Sequence, residues 1–281
     1  MRQRRSIFRR ILGHRTATVG AIVTTFVTLI ALIGPQLTSA DPLAMNLLHI
    51  LSSPSSQFPF GTDDVGRDVF SRVLYGTRLS LTVGALVMVT TSVLGTLIGL
   101  ISGYFRKVDG FVMRLVDALM AFPAILVALV VVAMLGPRTE NVILALTLVY
   151  LPRVARLVRG TVLSMRELDY VAAGRALGAG DIRLILRHVL PGTMAPLLVQ
   201  ATFIYGYAIL GEASLSFLGL GTSPPAPSLG NILSDARPML REAPWMALFP
   251  AGTIALTIFG FNLLGDGLRD LLDPRAKVGS R

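Results

Sequence analysis

Long apolar runs, separated by short basic or Pro/Gly-rich stretches, organise this sequence. About 20 apolar residues in helical form cross the roughly 30 Å of a bilayer's hydrocarbon. The pattern predicts spans at Ala17–Gly34, Leu79–Ile101, Leu115–Leu135, Asn141–Val158, Val189–Gly211 and Ala243–Gly265. Pro35 is expected to stop the first span, and Pro123 and Pro152 to kink the third and fourth. In the fourth, only Asn141–Pro152 is uncharged before Arg153, Arg156 and Arg159 begin. Those arginines either snorkel toward an interface or ride on a helix that leaves the bilayer. The expected fold class is all-α: a polytopic membrane protein with six transmembrane helices.

The first run also invites comparison with a signal peptide. Arg2, Arg4, Arg5, Arg9 and Arg10 resemble its basic region, and Thr38-Ser39-Ala40 a cleavage site. The run is long for such a segment and five more spans follow, so a retained first span is expected.

Composition agrees with this class. Hydrophobic residues make up 53% of the 281 positions and charged ones 15%, with a mean hydropathy of +0.67. The net charge of +10 raises the question of nucleic acid. The basic residues, however, lie between the apolar runs and form no single patch with interleaved aromatics. With the N-terminus inside, 20 of the 26 Lys and Arg fall in inner segments. That asymmetry predicts that both termini are cytoplasmic, and it accounts for the excess charge without a nucleic-acid partner. The chain has no cysteine, which excludes disulfides, thiol catalysis, iron–sulfur clusters and cysteine zinc sites. His14, His49 and His188 have no metal-ligand spacing, and neither Lys107 nor Lys277 follows a Walker A loop. No cofactor is expected on this chain, and energy must come from elsewhere.

The expected organisation is a cytoplasmic tail (1–16), a first span with its outer loop (17–78), a core (79–265) and a second cytoplasmic tail (266–281). Within the core, the inner segment at about 159–190 carries legible local signals. Ser164-Met165-Arg166-Glu167 fits a capping box, and Asp169 lies near the same positive helix end. A short helix then runs to about Leu177, with Leu168, Val171 and Ala172 on one face. Gly178-Ala179-Gly180 breaks it. Asp181 is expected to cap a second helix, in which Ile182, Ile185, Leu186, Val189 and Leu190 follow i, i+3, i+4 spacing before Pro191. Two readings fit: an amphipathic pair resting on headgroups, or a docking element that presents a small turn to a cytosolic partner.

Tyr170-Val171-Ala172-Ala173-Gly174-Arg175-Ala176-Leu177-Gly178, followed after nine residues by His188-Val189-Leu190-Pro191, resembles the EAA loop of ABC importer permeases. The alignment keeps Ala173, Gly178, Leu190 and Pro191. Ala172 stands at the family's Glu, Gly174 at its Ala and His188 at its Ile, so the glutamate's contact has no counterpart. Three further stretches resemble the dipeptide/oligopeptide/nickel permeases. They are Phe60–Asp68 running into Arg72–Arg78, Glu212–Gly221, and Asn262–Asp270 with Asp273-Pro274-Arg275, the last matching the C-type subunit. The resemblance covers nearly the whole chain from about residue 5. It implies a type I ABC importer permease in a bacterial cytoplasmic (inner) membrane, coupled through Tyr170–Gly178 and Pro191. The implied partners are a second permease, two cytosolic ABC ATPases that use ATP and Mg, and an extracytoplasmic solute-binding protein. The implied cargo is short peptides, with nickel chelates or glutathione as alternatives in the same family.

Two carboxylates near span ends are candidates for the translocation path or gate, since intramembrane charge is costly. Glu212 either faces the path and meets a peptide's amino group, or pairs with a neighbouring helix or loop and positions the outer gate. Asp117 either serves the path or pairs with Arg114 at i−3. Gly95, Gly99 and Gly103 form a small-residue ladder that admits another helix, within this chain or in the second permease. The Pro/Gly-rich loop Ser214–Pro244 is expected on the face that receives the binding protein, or as a covering loop. An ion-coupled secondary transporter should show buried charge relays and inverted repeats. An intramembrane enzyme should show a His/Asp/Ser or metal constellation. Neither pattern is present in the sequence.

Overall fold

The computed structural model describes residues 14–38, 40–222 and 226–272. The five N-terminal arginines, Ser39, Pro224 and Pro225, and Asp273-Pro274-Arg275 with Lys277 therefore lie outside the described residues, as do most of the two expected tails. Among the described residues the regular structure is helical, apart from one isolated bridge between Thr62 and Asp68. The helices are α1 (Arg15–Leu37), α2 (Val69–Tyr104), α3 (Arg106–Met120), α4 (Ala124–Leu135), α5 (Thr139–Met165) and α6 (Asp169–Ala176). They continue with α7 (Asp181–Leu184), α8 (Leu190–Phe217), α9 (Leu229–Ala236) and α10 (Trp245–Leu272). Among the described residues, five segments are long and apolar enough to cross a membrane, or six if the bent pair α3–α4 is one crossing.

The third expected span is corrected. Leu115–Leu135 is not one helix: α3 and α4 meet at an 89° bend across residues 121–123. Pro123 has no amide hydrogen to continue the ladder and holds its own ψ at 128°, so the break falls there. Arg106, Lys107, Asp109, Arg114 and Asp117 give α3 a polar face, while Met113 and Val116 bury its other face near Ala155. Pro152, by contrast, sits inside a continuous α5. Pro35 likewise stays within the last turn of α1. α5 runs well past Val158, so Arg156 and Arg159 ride on a helix that continues.

Glycines set how the long helices meet. A methyl at Gly95 would lie 2.6 Å from Val154 Cβ, one at Gly99 2.7 Å from the Ala155 carbonyl oxygen, and one at Gly103 2.8 Å from Val162 Cβ. The ladder therefore seats α2 directly on α5, inside this chain, which decides between the two partners the sequence allowed. Contacts advance together along both helices, so α2 and α5 are parallel. Parallel neighbours require the chain to cross back between them, and α4, about 18 Å long, makes that return. The first and last helices pack the opposite way. Gly20 lies against the Leu264 backbone, Val23 against Gly260 and Ala17 against Gly267, an antiparallel contact at backbone distance.

At the end of the bundle where α2 begins, residues 40–68 fold over the helices. Asp63 is fully buried and accepts from Arg67 Nε (2.6 Å), Arg72 Nη1 and the amides of Val65 (3.0 Å) and Arg67 (2.8 Å). Arg72 also donates to Asp235 at the end of α9 (3.0 Å). Asp68 caps α2 through the amides of Phe70 and Ser71. Burial pushes its carboxyl up, against the opposing pull of those two amide hydrogen bonds. Trp245 Nε1 donates to the Thr62 carbonyl, and Phe60 stacks on Phe249 at 3.8 Å. The segment that resembled dipeptide permeases is thus a charged clasp joining the connection after α1 to α2, α9 and α10.

Candidate functional site

At the opposite end, α5, α6, α7 and the tip of α2 build a compact element. Its local signals are partly other than expected. Ser164 is not an N-cap: it lies in the last turn of α5 and donates to the Gly160 carbonyl (3.2 Å). Glu167 reaches Arg106 (3.3 Å) and Arg166 (3.1 Å) instead of a helix amide. The capping box fails because Ser164 still belongs to the last turn of α5, which ends at Met165, and Leu168 holds the N-cap position of α6. Asp181 is likewise no cap, for Gly180 holds that position. Residues 185–189 then form a π-turn that runs directly into α8. Pro191 lacks an amide and would crowd the carbonyl four residues back, and the wider turn relieves both faults. The shifted register buries Leu184 and Val189 and exposes Ile182 and Leu186, so the expected apolar face is corrected.

The turn itself follows the glycine. Gly178 has φ +80°, its amide donates to Arg175 O (3.0 Å), and the Ala179 amide donates to Gly174 O (3.1 Å). This is a Schellman stop, in which glycine takes the left-handed position at no steric cost. Val171 is buried, and Gly174 lets Leu184 approach to 3.0 Å of where a side chain would begin. Those two positions seat α6 on the bundle. Leu168, Tyr170, Ala172, Ala173, Ala176, Leu177 and Gly178 remain exposed, Leu177 by 88%.

Tyr104, the last residue of α2, fastens both arms. Its hydroxyl donates to Asp181 Oδ1 (2.7 Å) and accepts from Arg175 Nη2 (3.3 Å). That phenol holds the Arg175 guanidinium above its usual range. Arg166 Nη1 donates to the Gly103 carbonyl (2.7 Å), and Tyr170 Oη to the His188 carbonyl (3.3 Å). The sequence reading missed Tyr104. Its signal was a phenol immediately after the last rung of the glycine ladder. Pro191 lies on α8 beside the π-turn and is exposed.

The two carboxylates take no part in this element and have no partner in common. Glu212 on α8 is fully buried. It accepts from Ser80 Oγ (2.7 Å) on α2 and Ser216 Oγ (2.7 Å) one turn on, with Ser228 before α9 as a third partner. It lines no open surface of the chain. Asp117 lies on α3 and is half-exposed. It pairs not with Arg114 but with Arg156 on α5 (2.5 Å), while Asp109 pairs with Arg159 (2.5 and 2.6 Å). Loop 214–244 contains α9, and among the described residues no metal-ligand cluster occurs.

Residues 95–278 match the family described as binding-protein-dependent transport system inner membrane component. Residues 2–54 match the N-terminal transmembrane domain of oligopeptide transport permease C. A permease protein of a peptide transport system in Brucella abortus is 47% identical over 96% of this chain and 91% of its own length. A dipeptide transport system permease of Alkalihalophilus pseudofirmus is 45% identical over 97% and 90%. A glutathione transport system permease of Pectobacterium atrosepticum is 41% identical over 97% and 91%.

Proposed function

The chain belongs to the binding-protein-dependent transport system inner membrane components, and we propose that it is the C-type permease subunit of an importer for short peptides. It is a multi-pass inner-membrane transport subunit of an ABC importer and not an enzyme, the ATPase being a separate chain. The peptide assignment is supported by the names of the relatives, of which two are peptide or dipeptide permeases and one a glutathione permease. In the full assembly a second permease pairs with this one, two ATPases that use ATP and Mg sit on the cytoplasmic side, and a solute-binding protein delivers cargo outside. Both termini are cytoplasmic on this reading.

The observation that carries the mechanism is the exposed Ala/Leu/Gly turn at 172–178. It is small enough to enter a cleft, and Tyr104 ties it to the glycine-seated pair α2–α5. A partner that grips this turn moves Asp181 and Arg175 together, and through Tyr104 it moves α2. Transport follows if the two ATPase states bind the turn's two positions unequally. Glu212 belongs to the outer gate on this reading, holding α2, α8 and the α9 loop through three hydroxyls. Asp117 holds α3 to α5 beneath the path.

The test is the triple substitution of Arg175, Ala176 and Leu177 to Asp, all exposed positions. Membrane insertion is expected to survive, while co-purification of the ATPase and peptide uptake are lost. Normal uptake by this variant sinks the coupling role. Peptide cargo is tested separately by calorimetry of the cognate binding protein, where binding of a nickel chelate but no peptide overturns it.

A further inference from the structure

Three arginines follow one another along α5 at one-turn intervals, and they are not equivalent. Arg156 and Arg159 are each neutralised by a carboxylate of α3. Arg153 is not: among the described residues no carboxylate lies within ion-pair distance of it. Its guanidinium stands over two tyrosine rings instead, 5.6 Å from the centroid of Tyr150 and 5.4 Å from that of Tyr207. The Tyr150 hydroxyl is committed to the Tyr207 backbone carbonyl (2.9 Å), which fixes the Tyr150 ring under the charge.

The depth of this charge is the reason to ask what it serves. Arg153 lies fourteen residues after Thr139, about 21 Å along α5. Its side chain leans back toward the start of that helix, as helical side chains do, and so reaches Tyr150. Tyr207 lies ten residues before Phe217, about 15 Å below the end of α8. On a crossing that begins at Thr139 the cation falls within the membrane thickness, where an ionisable residue with no ion-pair partner is a candidate for the path. It is also accessible. Arg153 lines a cavity of about 120 Å³, and Tyr150 and Tyr207 line another of about 220 Å³. Ala124 and Val149 are common to both walls, so the two cavities adjoin.

We propose that Arg153, framed by Tyr150 and Tyr207, receives the terminal carboxylate of the peptide in transit. This rests on the peptide-importer reading above. Dipeptides, longer peptides and glutathione share a free carboxylate, the group a guanidinium grips in bidentate fashion. The aromatic faces keep the cation accommodated while the path is empty, as a fixed carboxylate also would. A fixed carboxylate, however, would compete with the cargo. The aromatic frame leaves a site that both captures and releases.

The test uses the complete transporter in proteoliposomes with its binding protein. Uptake of a free-acid peptide is compared with that of its C-terminal amide, each normalised to occupancy of the binding protein. Wild type is expected to favour the free acid. R153Q is expected to lose that preference, uptake of the free acid falling by about tenfold relative to the amide, the order of one charge-assisted hydrogen bond. R153K, which keeps the charge, is expected to retain the preference at reduced rate, and it decides the matter if R153Q fails to fold. Equal loss of both peptides, or failure of R153Q and R153K to pair with the second permease, overturns the proposal in favour of an interface role. A preference that survives R153Q overturns it outright, as does one that follows added anionic lipid instead of the peptide terminus. Wild type that takes up neither peptide defeats the peptide reading, which is a separate failure.

Discussion

The hydroxyl of Tyr104 donates to Asp181 across 2.7 Å and thereby joins the end of α2 to the start of the segment that becomes α8. The same oxygen accepts from Arg175, so one phenol couples two helices and the exposed turn between them.

Replacing Tyr104 by Phe keeps the ring and removes both hydrogen bonds. Asp181 and Arg175 are exposed, so solvent screens both bonds and their loss changes the coupling between elements more than the stability of the fold. The expected outcome is normal expression and ATPase binding with uptake per ATP reduced several-fold. The check is the ratio of uptake to hydrolysis in proteoliposomes; an unchanged ratio removes Tyr104 from the coupling route.

Gly178 has open space around it, so the effect of a side chain there is conformational. Its left-handed backbone should make Gly178→Val cost about 1–2 kcal/mol locally, while Gly178→Asn, which tolerates that region, costs less. Unfolding of the turn is expected to weaken ATPase capture in the order Gly, Asn, Val, measured by co-purification at graded detergent or salt. An equal yield for all three would show that the Schellman stop does not shape the docking surface.

Removing the Glu212 side chain leaves hydroxyls of Ser80, Ser216 and Ser228 without their acceptor inside packed protein. Each unsatisfied polar group costs about 1–3 kcal/mol, so Glu212→Ala should lower the midpoint of thermal unfolding in detergent and the yield of folded permease. Glu212→Gln retains an acceptor and should recover most of that loss. If Gln is as damaging as Ala, the negative charge itself is needed, and the gate reading must be revised toward the cargo's amino group.

These elements differ in how far the sequence alone exposed them. Hydropathy located every long helix to within a few turns, because crossing hydrocarbon forces a length and a composition. It could not show that Leu115–Leu135 bends, since an apolar count is blind to direction and Pro123 was equally compatible with a mild kink. The capping box at Ser164 was a local pattern overruled by the longer helix around it. Asp117 illustrates the larger limit. Its sequence neighbour Arg114 and its spatial partner Arg156, thirty-nine positions on, carry the same charge, and only the packing of α3 against α5 chooses between them. The glycine ladder was legible as a contact surface, but not the face it meets.

The backbone contact between α1 and α10 has a consequence for how the molecule is made. Gly20, Val23 and Ala17 wait for Leu264, Gly260 and Gly267 of α10, which leaves the ribosome long after α1. The roughly 200 residues between the two helices take about 10–40 s to synthesise. Through that interval α1 stands in lipid with its closest neighbour not yet in existence. A nascent chain cut short before Trp245 would therefore leave the Ala17, Gly20 and Val23 face of α1 uncovered, a ready mark for membrane quality control. The contact that closes α1 onto the bundle forms only when α10 arrives.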